Sequence, residues 1–437
     1  MLGLFLYIYI MKISDLHALF LDCNAVCTDT RTVKQNDLFF ALKGDNFNGN
    51  TFALKAIKAG AKFAVIDEAA YHIENKTILV NDTLKALQDL ATFHREYLNI
   101  PIIGLTGSNG KTTSKELINA VLSQKYSTTA TIGNLNNHIG VPLTLLSMNS
   151  NTEIGIVEMG ANHLKEIELL CNIAKPNFGY ITNFGKAHLE GFGSIEGVIQ
   201  GKSELYAFLE QTQGLAFVNA NDSKQLELTA TLNRYTFGNH NTTANTTIEL
   251  VSADPFVVSE YNSNEITSQL IGVYNFTNIS AAIAIGTYFK MNPGSIKKAI
   301  EGYTPTNNRS QIITTGTNKI ILDAYNANPT SMKAALESFS NLKSNNKIAI
   351  IGDMFELGNT AKVEHQAIVD LVTNLHIDKI YIIGKLFKTT TFTSRKIESF
   401  ETFEDFKNTL NLIHITDTNV LIKASRGMKL ERILDLI

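Results

Sequence analysis

Continuous apolar runs, each ending in glycine or polar residues, recur through the middle of the chain. The runs are IPIIGLTG, EIGIVEMG, FGYITNFG and GLAFVNAND, and helical segments follow them. Uninterrupted apolar strands are typical of a parallel sheet that is buried on both faces. Ligands of such sheets lie at the carboxyl ends of the strands. We therefore expect the chemistry at the polar ends of these runs.

The pattern on either side predicts two further domains. Short strand-like runs such as DLFFAL and TILVND, with the amphipathic helix LKALQDLATFHREYL, predict a small α/β domain over residues 11–99. Residues 100–304 hold the parallel sheet and a β-rich segment from Thr246 to Gln269. From residue 305 to 437, strands and helices alternate again, with KIILDAYNANP, KIAIIGDM, KIYIIG and NVLIKAS as strands. The predicted fold is α/β with three domains: a small α/β domain, a central parallel-sheet domain, and a C-terminal Rossmann-like, doubly wound domain.

Composition limits the classes of protein. With 437 residues, 44% hydrophobic and 18% charged, the chain is typical of a soluble globular protein. A formal charge of −3 gives no basic footprint, so no nucleic-acid partner is expected. The three cysteines lack paired spacing and indicate a cytoplasmic protein. The apolar residues 1–10 are about half the ~20 that a membrane helix needs. We expect them to be an upstream extension outside the fold, with no stable membrane insertion.

The stretch GLTGSNGKTT resembles a phosphate-binding loop with one departure. The common pattern requires glycine at position 105, where Leu105 stands. Gly107 and Gly110 allow the backbone N–H groups to turn inward, and Lys111 adds a positive charge in front of a predicted helix. The hydroxyl of Thr112 is suited to Mg²⁺. This segment predicts a nucleotide site.

Two side chains at strand ends are candidate metal ligands. Glu158 ends the run EIGIVEMG, and His188 follows the run FGYITNFG. A carboxylate and an imidazole at neighbouring strand ends suit Mg²⁺ or Mn²⁺. Taken singly, both residues would more often be ordinary surface residues. Lys202, in GVIQGKSELY, would by itself be a solvated helix residue.

In combination, these motifs resemble the Mur ligase family, the ATP-dependent amide synthetases of peptidoglycan building, together with folylpolyglutamate synthetase. TGSNGKTT resembles the family's ATP loop, and EMG and NFGKAHL resemble its metal positions. Lys202 matches a lysine that Mur ligases carry as a carbamate. The resemblance implies ATP and Mg²⁺, with two ions expected, one of them held through carbamylated Lys202. It makes Lys111, Lys202 and His188 the catalytic residues and Thr112, Glu158, His188 and Lys202 the metal ligands. The loop residues expected to contact ATP are Gly107, Ser108, Asn109, Gly110, Lys111, Thr112 and Thr113.

Further motifs are similar to the family's substrate segments. GVYNFTN resembles the family's GxHNxxN, with Tyr274 in place of histidine and Asn278 expected to read adenine. GNLNNHIGVPLTLL resembles a loop that contacts the nucleotide-sugar peptide. TDTR, near the start of the chain, resembles part of the UDP-sugar-binding domain. The substrate-binding residues expected from the last two motifs are Asn136, Asn137, Thr144, Thr30 and Arg31.

The C-terminal motifs LDAYNANP, GDMFELG and LIKASRGMKLE resemble the family member that adds D-alanyl-D-alanine, although Leu322 and Ala424 replace its usual aspartate and glycine. Arg426 is suited to clamp a carboxylate. The residues expected to contact ATP are Asn278, Arg309, Asp323, Tyr325 and Asn326. Those expected to contact the dipeptide are Asn328, Ser425 and Arg426.

The resemblance implies an enzyme that joins D-alanyl-D-alanine to UDP-N-acetylmuramoyl-tripeptide through an acyl phosphate, releasing ADP and phosphate. Its partners would be these small molecules, and a monomer is expected. One alternative is another amide ligase, such as the diaminopimelate- or lysine-adding enzyme or folylpolyglutamate synthetase. A second is a nucleotide-binding regulatory or assembly protein that has lost catalysis. No motif marks whether the tripeptide carries diaminopimelate or lysine.

Overall fold

A computed structural model of the chain describes residues 11–306, 308–344, 346–410 and 415–437. The extension expected at residues 1–10 lies outside the described residues. By compactness the chain separates into two units. The first contains the chain up to Gly104 with Tyr126–Gly160 and Glu168–Phe178, and the second contains Leu105–Lys125, Ala161–Ile167 and Gly179–Ile437. The three domain ranges expected from the sequence remain a prediction.

The secondary structure alternates between strands and helices over most of the chain. The α-helices are α1 (Ile13–Leu21), α2 (Ala53–Lys58), α3 (Thr83–Leu98), α4 (Lys111–Leu122), α5 (Gly140–Leu146), α6 (Glu166–Ala174), α7 (Leu189–Phe192), α8 (Ile195–Thr212), α9 (Ser223–Leu228), α10 (Tyr274–Tyr288), α11 (Pro293–Gly302), α12 (Pro329–Asn341), α13 (Ala361–Asn374), α14 (Lys385–Lys388) and α15 (Phe403–Leu410). Short 3₁₀ helices cover Gly49–Phe52, Ala69–Tyr71, Gly358–Thr360, Arg426–Met428 and Leu430–Asp435.

In the part of the chain that the structure describes, the strands form three larger sheets and two small ones. They are β1 (Val26–Cys27), β2 (Leu38–Phe40), β3 (Lys43–Gly44), β4 (Phe47–Asn48), β5 (Phe63–Ile66), β6 (Thr77–Leu79), β7 (Ile102–Thr106), β8 (Thr128–Ala130), β9 (Ile154–Glu158), β10 (Phe178–Ile181), β11 (Leu215–Asn219), β12 (Asn233–Gly238), β13 (Thr246–Thr247), β14 (Glu249–Ala253), β15 (Phe256–Tyr261), β16 (Asn264–Ile271), β17 (Gln311–Thr315), β18 (Asn318–Asp323), β19 (Lys347–Gly352), β20 (Lys379–Ile383), β21 (Ile397–Phe400) and β22 (Asn419–Lys423).

The first sheet is parallel, with the strand order β1-β2-β5-β6. Its register pairs Phe39 with Ala64, and both side chains are buried in one apolar cluster with α2. Helix α3 begins where the Asp82 carboxylate accepts a hydrogen bond from the backbone N–H of Lys85, which satisfies one of the otherwise unpaired N–H groups at a helix start. The helix ends at Asn99, whose backbone is left-handed.

The central sheet has the strand order β13-β12-β11-β10-β7-β9-β8. Strands β7 and β9 are buried along their whole length, as expected for a sheet that is covered on both faces. The pairs β8–β9, β11–β12 and β12–β13 are parallel. The four apolar runs of the sequence correspond to β7, β9, β10 and β11, which confirms the predicted parallel sheet. The predicted β-rich segment forms β13 and the antiparallel sheet β14-β15-β16.

The C-terminal sheet has the order β17-β18-β22-β19-β20-β21. All its neighbouring pairs are parallel except β17–β18, an antiparallel pair at the edge. Aliphatic side chains of β18, β19 and β22, among them Leu322, Ile350 and Ile422, form its core. The predicted doubly wound α/β architecture is therefore confirmed. Strand β17 was not predicted from the sequence, because an edge strand with the polar sequence QIITT lacks the apolar run of a central strand.

Within the described ranges, no helix has both the length and the apolar character required to cross a bilayer.

Two buried histidines connect α1 to α3. The Nε2 atom of His94 lies 2.9 Å from the carbonyl oxygen of Met148, and the Nδ1 atom of His94 lies 3.0 Å from the Nε2 atom of His17. A carbonyl only accepts hydrogen bonds, so Nε2 of His94 must carry the proton. Its Nδ1 then accepts a hydrogen bond from Nε2 of His17, so the His94 ring is neutral. Burial lowers the pKa of both histidines from 6.5, and for His17 the charge that His94 would carry lowers it further.

We predict that acid destabilises the chain through these histidines. Because their pKa values are lowered in the folded chain, the stabilisation they give is present above about pH 6.5 and is lost as the pH falls. The free energy of unfolding, measured with urea at pH 7.5 and 5.5, should change less with pH in the His17→Leu variant than in wild type. The difference should be up to about 1.4 kcal/mol per pH unit. The His376→Leu variant, which changes an exposed histidine, should match wild type. Equal pH dependence in all three proteins would contradict the prediction.

Candidate active site

The phosphate loop connects β7 to α4 and depends on two glycines. Leu105 is fully buried in β7, so the glycine that the common pattern places there is replaced by a core residue and the loop begins at Gly107. Gly107 has a φ of +141° and Gly110 a φ of +79°. A Cβ atom on Gly107 would lie 2.0 Å from the Oγ1 atom of Thr182. Neither position suits a residue with a side chain.

The loop is fixed by residues that follow β10. The hydroxyl of Thr182 donates to the carbonyl oxygen of Asn109 at 2.6 Å, and the side-chain amide of Asn183 donates to the same oxygen at 3.0 Å. The Oδ1 atom of Asn183 accepts from the backbone N–H of Asn109 at 3.1 Å. The Ser108 hydroxyl donates to the carbonyl oxygen of Gly185 at 2.9 Å. Sequence reasoning missed Thr182 and Asn183, although their place directly after an apolar run was a signal.

The ammonium of Lys111 folds over the loop. Its Nζ atom donates to the carbonyl oxygen of Gly107 at 2.7 Å and lies 3.4 Å from that of Ser108. The charge thus lies at the start of α4, where a helix presents its positive end. Thr112 is buried beside it and Thr113 is half-buried. The Lys111 ammonium at the start of α4 suits a phosphate group.

Asn278, expected to read adenine, lies behind the loop. Its Oδ1 atom accepts from the Ser114 hydroxyl at 3.0 Å, and its amide donates to the Oδ1 atom of Asn275 at 2.8 Å. A Cβ atom on Gly110 would meet this Oδ1 atom at 2.5 Å. Asn278 therefore supports the loop and α4, and its contact with adenine remains a prediction.

Lys202 is completely buried on α8. Its Nζ atom donates to the carbonyl oxygen of Ala161 at 2.9 Å and lies 4.9 Å from the centre of the Phe192 ring. Of the residues that the structure describes, none forms a carboxylate ion pair with it. Burial, and next the charge of Lys111, holds the pKa of Lys202 well below its usual value. A buried amine with a lowered pKa has the neutral form that can react with CO₂.

His188 contacts a carboxylate from the motif GDMFELG. Its Nδ1 atom lies 2.6 Å from the Oε2 atom of Glu356. The contact with His188 is the main cause that lowers the pKa of Glu356. Glu356 was not among the site residues predicted from the sequence, because the motif is distant from His188 in the chain.

Glu158 lies at the buried end of β9. Its Oε1 atom accepts from the side-chain amide of Asn136 at 2.8 Å, and its backbone N–H donates to the Oγ1 atom of Thr131. Asn136 thus contacts the candidate metal ligand. Asn137 accepts from the N–H groups that start α5, and the buried Thr144 hydroxyl donates to the carbonyl oxygen of Gly140. Both residues support the loop in this structure, and their substrate contacts remain predictions.

The chemistry of the candidate donors fits a hard divalent cation. Glu158 supplies carboxylate oxygens and His188 an imidazole nitrogen. Lys202 fits only as a carbamate, because an ammonium has no lone pair to donate and a hard cation prefers the oxygen atoms of a carbamate to the nitrogen of a neutral amine. In the described part of the chain, no three His, Cys, Asp or Glu side chains come together as a metal-binding group. The carbamate would supply the additional anionic donor.

The ends of β18 and β22 bring together Asp323 and Lys423, which the register pairs. The Nζ atom of Lys423 lies 2.5 Å from the Oδ2 atom of Asp323 and 3.5 Å from the carbonyl oxygen of Asn326. The other oxygen of Asp323 accepts from the backbone N–H of Ser310. Lys423, which sequence reasoning missed, therefore fixes the start of the segment YNANP.

Asn328 joins this segment to the phosphate loop. Its Oδ1 atom accepts from the N–H of Ser331 at 2.9 Å, which caps the start of α12. Its amide donates to the Oδ1 atom of Asn109 at 2.7 Å. The structure thus brings the last asparagine of YNANP to the predicted nucleotide site.

Two arginines contact the ring of Tyr325. The guanidinium carbon of Arg309 lies 3.6 Å from the ring centre, and that of Arg426 lies 5.3 Å from it. The structure brings together three predicted site residues here. Arg426 is exposed, as a carboxylate clamp requires.

Ser425 and Asn326 have structural partners. The Ser425 hydroxyl is buried, accepts from the N–H of Phe355 at 2.9 Å and lies 3.3 Å from the carbonyl oxygen of Ala327. The Oδ1 atom of Asn326 accepts from the N–H of Ala327. Ser425 therefore fastens three C-terminal loops together, and its contact with the dipeptide remains a prediction.

Near the start of the chain, the exposed guanidinium of Arg31 contacts the carboxylate of Asp29 at 2.6 Å. This contact lowers the pKa of Asp29 to about 2. Thr30 lies between them and is half-buried. Both predicted UDP contacts lie on one short turn.

A phosphate loop on a buried parallel sheet, joined to a segment of a doubly wound sheet, defines a nucleotide-binding enzyme. Three family models match the chain: the Mur ligase family catalytic domain at residues 23–95, the Mur ligase middle domain at 105–286, and the Mur ligase glutamate ligase domain at 308–430. The chain belongs to the Mur ligase family.

Individual relatives show which members of the family this chain is similar to. The chain is 36% identical over 425 residues to the UDP-N-acetylmuramoyl-tripeptide--D-alanyl-D-alanine ligase of Bacillus subtilis (strain 168), covering 95% of this chain and 93% of the relative. The crystal structure of MurF from Acinetobacter baumannii has a TM-score of 0.83 and 29% identity, covering 94% and 92% of the two chains. MurF ligase from Thermotoga maritima, solved in complex with ADP, has a TM-score of 0.81 and 25% identity, covering 95% and 97%.

We predict that a methyl group at position 107 weakens nucleotide binding. In the Gly107→Ala variant the new Cβ atom would lie 2.0 Å from Thr182, at a φ that L side chains rarely adopt. The loop must then move, and ADP affinity, measured by calorimetry with Mg²⁺, should fall at least about tenfold, or 1.4 kcal/mol. Gly302→Ala is the control, because nothing lies within 4 Å of that Cβ position. Unchanged ADP affinity in Gly107→Ala would refute the assignment of the loop.

Proposed function

We propose that this chain is an ATP-dependent amide ligase that joins D-alanyl-D-alanine to UDP-N-acetylmuramoyl-tripeptide. The products are UDP-N-acetylmuramoyl-pentapeptide, ADP and phosphate, in peptidoglycan precursor synthesis in the cytoplasm. The observation that carries the proposal is the contact of Asn328 with Asn109. It connects the motif typical of the D-alanyl-D-alanine-adding ligases to the phosphate loop.

In the proposed reaction, Lys111 and the start of α4 bind the phosphates of ATP. The γ-phosphoryl group passes to the terminal carboxylate of the tripeptide and gives an acyl phosphate. The amine of the dipeptide then attacks this carbonyl carbon, and phosphate leaves as the amide bond forms. Fixed positive charges stabilise a transferring phosphoryl group at no cost in reorganisation. Lys111, held against Gly107, is such a fixed charge.

Magnesium would be held by Thr112, Glu158, His188 and carbamylated Lys202, two ions in all. When bound, it neutralises phosphate charge. The neutral Lys202 amine forms a bond to the carbon of CO₂ and releases one proton, which gives an anionic carbamate at a position where the unmodified side chain is neutral or cationic. The lowered pKa of Lys202 and the absence of a carboxylate ion pair among the described residues support this modification.

Substrate recognition is assigned to the remaining motif residues. Arg426 binds the carboxylate of D-alanyl-D-alanine, an interaction that an exposed guanidinium supported on the Tyr325 ring can make. Thr30 and Arg31 bind the UDP group. The proposal includes a monomer and no nucleic-acid partner.

We predict that the purified chain forms the pentapeptide only when ATP, the tripeptide and D-alanyl-D-alanine are all present. The assay follows ADP release and product mass with diaminopimelate- and lysine-containing tripeptides side by side, and the better substrate identifies the natural one. Turnover with free diaminopimelate, lysine or glutamate as the incoming amine would indicate a different amide ligase. No product with any substrate, while ADP still binds, would indicate a nucleotide-binding protein that has lost catalysis.

We predict that the Lys202→Ala variant loses activity by at least about 100-fold, the effect of removing one group that stabilises transition-state charge. Acetate or formate should restore part of the activity, because a small carboxylate can replace the carbamate in the cavity. Lys347→Ala is the control, since Lys347 is also buried against carbonyl oxygens but lies in the C-terminal sheet. Full activity of Lys202→Ala, or loss without any rescue in a folded variant, would contradict the carbamate role.

A further inference from the structure

The carboxylate of Glu356 forms an ion-pair contact with the His188 ring. The Nδ1 atom of His188 and the Oε2 atom of Glu356 are 2.6 Å apart. His188 is mostly buried, and Glu356 is half exposed. Lys111 lies near enough to favour the negative charge of this carboxylate as well. The ring of His188 therefore contacts a carboxylate from another part of the chain.

The backbone fixes both partners. His188 has a φ of +53° and Glu356 a φ of +62°, and left-handed conformations are uncommon for residues other than glycine. The backbone N–H of Glu190 donates to the carbonyl oxygen of Glu356 at 3.1 Å. Gly358 packs against Glu190. A Cβ atom added to Gly358 would lie 3.3 Å from the Cα atom of Glu190. Neighbouring contacts thus hold the carboxylate beside the imidazole.

The two ring nitrogens of His188 differ in their surroundings. Nδ1 is buried and lies in ion-pair contact with the Glu356 carboxylate, at an angle outside hydrogen-bond geometry, whereas Nε2 has no ion-pair or hydrogen-bond partner in the described ranges. In proteins, a metal-binding histidine commonly places its second nitrogen on a carboxylate, which fixes the ring orientation and raises the basicity of the nitrogen that binds the metal. Mutating such a partner typically weakens metal binding by about 10- to 100-fold.

We propose that Glu356 is a positioning residue that orients the His188 imidazole, so that Nε2 is presented to the divalent metal. The inference rests on the proposed function, in which His188 is a metal ligand. It gives the motif GDMFELG a role that the substrate assignments leave open. The metal site would then depend on a residue that follows β19 in the C-terminal sheet.

A second ion pair connects the same two stretches of chain and supplies a matched control. The Nζ atom of Lys186 lies 2.6 Å from the Oε1 atom of Glu364. Loss of Glu364 removes a contact between the segments around His188 and Glu356 without removing the carboxylate that faces the imidazole. The loss of Glu364 therefore distinguishes an effect of weaker contact between the two segments from an effect of the orientation of the His188 ring.

The experiment measures Mn²⁺ binding to the full chain by electron paramagnetic resonance, with ADP present and the peptide substrates absent. The variants are Glu356→Ala, Glu356→Gln, Glu364→Ala and His188→Ala, each checked for folding by circular dichroism. We expect about 10-fold or greater weakening for Glu356→Ala and for His188→Ala. Glu356→Gln, which keeps an acceptor without the charge, should lie between Glu356→Ala and wild type. Glu364→Ala should stay within about twofold of wild type.

The outcomes distinguish the inference from the proposal on which it rests. If His188→Ala binds Mn²⁺ like wild type, the metal role of His188 is wrong and the inference falls with it. If only His188→Ala weakens binding, the metal role stands and Glu356 does not position the ring. If Glu364→Ala weakens binding as much as Glu356→Ala, the effect is general support of the segments, and the inference is overturned.

Discussion

Thr182 and Asn183 hold the backbone of the phosphate loop through three hydrogen bonds to Asn109, and the rest of the candidate active site depends on this hold. A glycine-rich loop has high conformational freedom and would not by itself keep its N–H groups aimed at a phosphate. The end of one strand supplies the missing restraint. The side chain of Asn109 also accepts a hydrogen bond from the side-chain amide of Asn328, so the order of the loop extends to the C-terminal segment.

Burial of charge without a matching carboxylate is the second constraint. Lys202 has only a carbonyl oxygen and an aromatic ring as partners among the described residues. A buried ammonium in such surroundings is unfavourable, because the cost of desolvation exceeds the attraction of the Glu166 and Glu204 charges. Its neutral form is the chemically useful one for carbamate formation. The burial of Lys202 is thus unfavourable for stability, but it favours the neutral amine on which the proposed metal site depends.

In the C-terminal sheet, single residues serve the fold and the site together. Asn328 caps α12 and contacts the phosphate loop, while Lys423 extends from the end of β22 to Asp323 on the neighbouring strand. Parallel strands end at one edge of a sheet, so side chains distant in sequence meet there. Glu356, after β19, contacts His188, which follows β10 of the central sheet.

The sequence by itself determined the sheets, the phosphate loop and the family, because buried parallel strands and glycine-rich turns have local patterns of residues. It did not determine the edge strand β17, whose polar residues carry no such pattern. Only the tertiary structure decided the partners of each side chain: Asn183 on the loop, Glu356 on His188, Asn136 on Glu158. These contacts join residues from separate elements, and their distances follow from strand order and loop geometry, which periodicity along the chain does not encode.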